Sequence, residues 1–188
     1  SAVSAQAKVT PDEAAKLGKE LTPLGAEMAA NADGSIPAWT GGITKPVAGY
    51  SVGDHHPDPY PDDKVQYTIT AANYEQYADL LSAGQQQLFK TYPDTFKMNV
   101  YQTRRSASYP QYVYDETLNN ATRTELIQKG NGITKAAVGV PFPIPANGLE
   151  VIWNHTLRYR GEQVKREGGQ AAPTAGGSFT YIGFDESL

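Results

Sequence analysis

Cysteine is absent from this 188-residue chain. That excludes disulfides, thiolate metal sites, a cysteine nucleophile, and lipid attachment at an N-terminal cysteine of the chain. Long apolar runs are absent too; no stretch approaches the roughly 18 residues that a membrane span requires. Basic residues are scarce and scattered. Sixteen Lys and Arg stand against 20 Asp and Glu, the net charge is −4, and Arg104-Arg105 is as long as any basic run gets. A protein that grips a nucleic-acid backbone needs a Lys/Arg footprint to release counterions, so nucleic acid is not an expected partner. The motifs G-x-S-x-G, H-E-x-x-H, G-x-x-x-x-G-K-[ST] and G-x-G-x-x-G are all missing, and no two carboxylates are paired by spacing. No catalytic residue and no cofactor is expected, and the chain reads as a non-enzyme.

What is present points to an irregular, tyrosine-rich fold. Eighteen Gly, 13 Pro and 12 Tyr accompany an apolar fraction of 39% and a mean hydropathy of −0.49. Gly and Pro together make about one residue in six, below the roughly one in four that marks low complexity. The most organised stretch runs from Gly139 to Gly161. Pro141, Pro143 and Pro145 alternate, fix φ and remove three donors, which predicts an extended strap. Asn147 then predicts an N-cap with Glu150 three residues on, and a helix over about 148–160 ended by Gly161. Leu149, Ile152, Trp153 and Thr156 fall on one face of that helix, while Glu150, Asn154 and Arg158 recur on the opposite side.

Upstream, Ser1 to Ala7 is small and polar, as expected just after signal-peptidase cleavage or in a disordered N-terminus. Thr10-Pro11-Asp12-Glu13 predicts a capped helix start, continuing through Leu17 and Leu21 to a second short helix after Pro23. Residues 33–63 read as an extended arm, pinned by Trp39, Val47 and Tyr50. Tyr67-Thr68-Ile69 fits a short strand. Thr70 and Ser82 predict two helix starts, the second ended at Pro93. Period-two alternation at Phe96, Met98 and Val100, and again around Tyr109 to Thr117, predicts two antiparallel strands linked through 104–108. Residues 122–129 fit either a helical turn or a further strand. Asn131-Gly132 marks a turn, and Phe179 to Ile182 begins a strand so near Leu188 that the C-terminus does not read as a domain boundary.

The chain divides by sequence into a processed or disordered stretch at 1–9, a helical and extended-arm region at 10–93, and a sheet with a packed helix at 94–188.

Three clusters invite a chemical reading. Asp54 to Asp63 holds two His and four Asp. However, neighbouring side chains in an extended run point apart and three prolines stiffen it, so a solvated acidic loop is expected rather than a metal site. Asn31 to Ser35 resembles the middle of a calcium loop, but Ala29 and Thr40 stand where acidic ligands are required. His155 has no Ser or Asp at a spacing that makes it a general base. The tyrosines remain. An amphipathic ring with a polar tip suits a face that meets an apolar or sugar ligand, or else builds a core and its rim. Tyr101, Tyr112, Tyr114, Trp153 and Tyr159 are the candidate ligand-binding residues.

Several blocks resemble a known family. They are Pro11 to Gly18, Leu21 to Glu27, Asn31 to Gly42, Tyr92 to Phe96, Pro141 to Pro145, and Trp153-Asn154-His155 running into Arg158-Tyr159-Arg160-Gly161. The chain is identified by them, over about residues 10–161, as similar to the periplasmic proteins of Gram-negative bacteria grouped as DUF1329 and often labelled outer-membrane lipoprotein-sorting proteins. The resemblance implies export to the periplasm, a longer parent protein, and no established catalytic residues. It also implies a later part like the lipoprotein-carrier fold, a curved antiparallel sheet half closed around an apolar cavity. Neighbouring membrane exporters suggest a carrier or adaptor.

The expected fold is therefore α+β: short N-terminal helices and a long irregular arm packed on part of a curved antiparallel sheet, an incomplete half-barrel, with the Trp153 helix on its concave side. The expected function is non-catalytic periplasmic binding of a lipid or lipoprotein acyl chain, serving an envelope exporter. The alternative is a carbohydrate-binding or structural envelope protein that uses a tyrosine-rich face.

Overall fold

A computed structural model describes residues 9–187. The fold is α+β, with four α-helices, two 3-10 helices and three separate two-stranded antiparallel sheets among the described residues. Two compact units divide the chain, one from residues 9–28, 51–55 and 108–187, the other from 29–50 and 56–107.

In the first unit, helix α1 (Pro11–Ala14) starts as its sequence demands. The Thr10 hydroxyl accepts from the Glu13 backbone N–H at 3.2 Å, and the Glu13 carboxylate accepts from the Thr10 backbone N–H at 2.8 Å. These bonds hold the Glu13 carboxyl below its usual range, the backbone contact first. The helix stops after one turn, and neither the continuation to Leu21 nor a helix after Pro23 forms. Isolated bridges join Leu17 to Leu21 and Leu21 to Glu27 instead. Gly25 explains part of this. Its φ is +93°, and a Cβ there would stand 1.7 Å from the carbonyl oxygen of Pro143, so the turn is built for glycine against the proline strap.

Helix α3 (Gln111–Arg123) replaces the strand expected at 109–117. Tyr112 and Tyr114 do alternate with Val113 and Asp115, but the longer pattern is helical. Val113, Thr117, Asn120 and Ala121 are its buried residues, at spacings of four, three and one. Ala121 joins Ala14 and Leu17 in a small core flanked by Val9, Leu21 and Ile144. Asn120 is fully buried and acts as a hub. Its amide nitrogen donates to the carbonyls of Ala137 at 3.1 Å and Val140 at 3.2 Å, and its oxygen accepts from the Ala137 N–H at 3.0 Å. The Thr117 hydroxyl donates to the Val113 carbonyl and accepts from the Val140 N–H. The loop leading into the strap thus finds its backbone partners on α3.

Residues 122–129 resolve into the end of α3 and strand β3 (Glu125–Ile127), which pairs with β4 (Gly132–Thr134). The strap follows, with Pro141, Phe142 and Pro143 buried. Helix α4 (Gly148–Thr156) is capped by Asn147 as expected, its side chain accepting from the Glu150 N–H at 3.1 Å. It ends at Leu157, four residues before Gly161. Strands β5 (Lys165–Pro173) and β6 (Phe179–Ser187) close the unit as a hairpin of two nine-residue strands.

In the second unit, β1 (Tyr67–Ile69) pairs with β2 (Met98–Val100), placing Ile69 opposite Met98. The alternation at 96–101 holds: Phe96, Met98 and Val100 are half-buried while Lys97, Asn99 and Tyr101 face water. Its partner is β1 rather than 109–117. Asn73, not Thr70, precedes the 3-10 helix Tyr74–Leu80, and its side chain accepts from the Thr70 N–H. Helix α2 (Ala83–Thr91) carries the full Ser82–Gln85 capping box. Phe89 is fully buried among Ile69 and Leu81, stacked on Tyr74 and tilted against Phe96. The arm is irregular, as expected, and is tied down by polar contacts more than by bulk. The Trp39 indole donates to the Ala107 carbonyl at 3.0 Å, the Ile43 N–H to that of Ser106, and Arg104 pairs with Asp63 while lying over the Tyr60 ring.

Candidate functional site

Four tyrosines gather around α3 and the segment after α4, not on a sheet. Tyr109 stands just before α3, Tyr112 and Tyr114 lie in its first turn, and Tyr159 follows α4. Tyr159 meets Tyr109 edge-on at 5.7 Å and Tyr112 at 6.1 Å, with ring planes at 89° and 90°. Tyr109 also meets Tyr114 edge-on, and its backbone N–H donates to the Tyr114 hydroxyl at 2.7 Å. Such edge-to-face pairs are the favoured geometry for aromatic rings. Three of the five expected ligand-binding residues, Tyr112, Tyr114 and Tyr159, are therefore brought together.

The cluster has a polar rim. The Tyr112 and Tyr159 hydroxyls are 2.9 Å apart, and the Tyr112 hydroxyl donates to Glu162 at 2.9 Å. The bond with Tyr159 raises the Tyr112 phenol well above its ordinary range, and partial desolvation and the Glu162 carboxylate push the same way. Like any tyrosine, Tyr112 keeps its proton at neutral pH, and here it donates it in the bond to Glu162. It remains 40% exposed.

Trp153 and Tyr101 lie elsewhere. Tyr101 is an exposed residue after β2 in the other unit. Trp153 donates its indole N–H to the Gly130 carbonyl at 2.9 Å, and Leu149, one turn earlier, lies against the same glycine. Gly130 has φ +94° and no room for a Cβ, which would stand 2.4 Å from Leu149 Cδ1.

Helix α4 is oriented differently from its sequence pattern. Asn154, on the expected polar side, turns inward, and its side chain donates to the Phe142 carbonyl at 2.7 Å and accepts from the Phe142 N–H at 2.8 Å. Glu150 accepts from the Ala146 N–H at 2.6 Å. The strap has no strand ladder of its own, so these polar side chains supply the partners its backbone requires. Val151 and Ile152 then face out, 52% and 63% exposed, and no residue of α4 is buried. Hydrophobic pattern alone could not reveal this, because the strap's demand for hydrogen bonds outweighs it.

The remaining candidates behave as ordinary surface groups. Asp63 pairs with Arg104, Asp58 accepts from the Tyr60 N–H, and the His56 ring stacks on Tyr50. Among the described residues no three His, Cys, Asp or Glu side chains converge on a metal-sized site. Asp33 accepts from the Ser35 N–H, closing the turn there, and the Ser35 contacts hold its carboxyl below the usual range. The Arg158 guanidinium donates to the His155 carbonyl. Sequence reasoning missed an open hollow of about 630 Å³ along the β5–β6 ribbon, over Gly168, Gly169 and Gly183 and walled by Tyr181 and Phe184. The facing of glycines by aromatic residues is its only sequence signal. No helix among the described residues is long and apolar enough to cross a membrane.

These features define an α+β protein with an exposed tyrosine cluster and an outward apolar helix, and comparison with known proteins gives it a family. Residues 68–188 match the model of the family described as protein of unknown function (DUF1329), and the chain belongs to it. An uncharacterized protein of Pseudomonas aeruginosa is 49% identical over 187 residues, covering 100% of this chain. The chain spans only 41% of that relative's length. No solved structure matches the chain.

Proposed function

We propose that the chain is part of a non-catalytic periplasmic carrier of a hydrophobic ligand, a lipid or a lipoprotein acyl chain, that serves an envelope exporter. In this reading the sheet of the whole protein curves into a half-closed, lipoprotein-carrier-like shelter. The observation that supports it best is the outward aliphatic stripe of Val151 and Ile152 on a helix whose Asn154 side chain turns inward to the strap. Burying acyl CH₂ groups against such a stripe is favourable by roughly 0.8 kcal/mol each. Organic extraction and mass spectrometry of the whole protein from its native host tests the reading. Co-purified lipid or acyl chain is the expected result. A protein that carries none, and binds none when it is added, ends the carrier idea.

A second reading rests on the tyrosine cluster. Rings at 109, 112, 114 and 159 with a hydroxyl–carboxylate rim offer a platform for a sugar. A glycan array separates the two, because a carrier of acyl chains leaves it unlabelled.

A further inference from the structure

The β5–β6 ribbon has two edges of different character. Thr174, just past β5, donates its N–H to Ser178, toward β6. Backbone groups alternate sides along a strand, so Pro173, Ala171, Gly169, Glu167 and Lys165 face the outer edge of β5. Proline at 173 removes a donor there, and the strand's middle is Gly168-Gly169 followed by Gln170-Ala171-Ala172. Proline and weak strand formers are how sheet edges are blunted.

The outer edge of β6 is the opposite case. By the same register, Phe179, Tyr181, Gly183 and Asp185 point N–H and C=O away from β5. Among the described residues no strand pairs with them. β6 has no proline and is rich in strand formers. It also carries large apolar side chains on both faces, Phe179 and Tyr181 on one, Ile182 and Phe184 on the other, each from 39% to 66% exposed. A strand apolar on both faces is the pattern of a sheet interior, not of a surface ribbon. An isolated two-stranded hairpin is moreover marginal in water.

We propose that the outer edge of β6 is a strand-accepting edge and the outer edge of β5 is a terminus of the sheet. The occupant is a further antiparallel or parallel strand with apolar residues at alternate positions, contributed by polypeptide that the Pseudomonas relative has outside the matched region. That relative devotes 59% of its length to chain beyond the 41% matched here, ample for further strands. The assignment does not depend on which ligand the protein binds.

Amide hydrogen exchange on the 188-residue chain and on the full-length Pseudomonas relative tests it. In the 188-residue chain the N–H groups of Phe179, Tyr181, Gly183 and Asp185 exchange fast, while those of Thr180, Ile182 and Phe184 are slower. In the full-length relative the amides aligned with the first set slow by about a hundredfold or more, and those aligned with Glu167, Gly169 and Ala171 stay fast. Fast exchange at the β6 edge of the relative, or protection at the β5 edge in its place, overturns the proposal. Protection of the β6 edge already in the 188-residue chain, growing with protein concentration, assigns the edge to a second copy and overturns it as well.

Discussion

Helices α3 and α4 belong to the same unit and contradict their own compositions. α3 reads Gln-Tyr-Val-Tyr-Asp-Glu-Thr-Leu-Asn-Asn-Ala-Thr-Arg, largely polar, yet it buries Val113, Thr117, Asn120 and Ala121. α4 reads Gly-Leu-Glu-Val-Ile-Trp-Asn-His-Thr, more apolar, and buries nothing. The difference lies in what each helix must satisfy. α3 faces a loop and strap whose backbone lacks ladder partners, so buried Thr117 and Asn120 serve it. α4 serves the same strap through Asn154 at its other end, which turns its aliphatic stripe away from the unit's own core. Polar demand joins the packing of Ala121 on Ala14 and Leu17 in setting the orientation of α3, and in α4 it leaves the aliphatic stripe facing water.

The largest test of that comparison is Asn120→Ala. It strands the Ala137 N–H and removes the donor to the Ala137 and Val140 carbonyls, and should lower the unfolding free energy by about 3 kcal/mol in urea titration. A loss below about 1 kcal/mol would mean that the hub is replaceable by water. Asn154→Ala comes next, at about 2 kcal/mol, since it frees both polar groups of Phe142. Its double mutant with Asn120→Ala reports whether the two helices hold the strap independently or as a unit.

Ser82→Ala probes the other unit and should cost about 1 kcal/mol through loss of the α2 cap. Because it lies outside the α3–α4 arrangement, its effect should add to that of Asn120→Ala.

The pH dependence of the tyrosine cluster is subtler. The folded Tyr112 phenol titrates above its ordinary 10.0, so its contribution to stability is fully present below that pH and fades as pH climbs through the raised folded value. Ultraviolet titration should show one late-ionising tyrosine, and Tyr159→Phe should move it back toward the ordinary value.

The smallest effect on stability is expected at the stripe. Ile152→Ser should change it by no more than about 0.5 kcal/mol, because that side chain is 63% exposed.

Local signals in the sequence were reliable where a single side chain decides the backbone. Thr10, Ser82 and Asn147 cap the helices they were expected to cap, and the alternation at 96–101 marks β2 correctly. Errors arose where tertiary contacts outweigh short patterns. Apparent alternation around 109–117 conceals a helix, whose period becomes visible only when Asn120 and Ala121 are counted as inward-facing. The tyrosine cluster is half legible: Tyr112, Tyr114 and Tyr159 stand out in the sequence by their chemistry. Nothing in their spacing showed that Tyr159 meets Tyr112 across 47 residues or that Trp153 belongs to Gly130.

The direct test of the outward stripe is binding of a fluorescent acyl probe to the whole protein, compared with a variant carrying Val151→Ser and Ile152→Ser. Saturable binding that weakens by about tenfold or more, with the unfolding midpoint unchanged, is the predicted result. Equal binding by both proteins would contradict the account, and so would a collapse of the variant's stability, which would show that these side chains already hold the fold together.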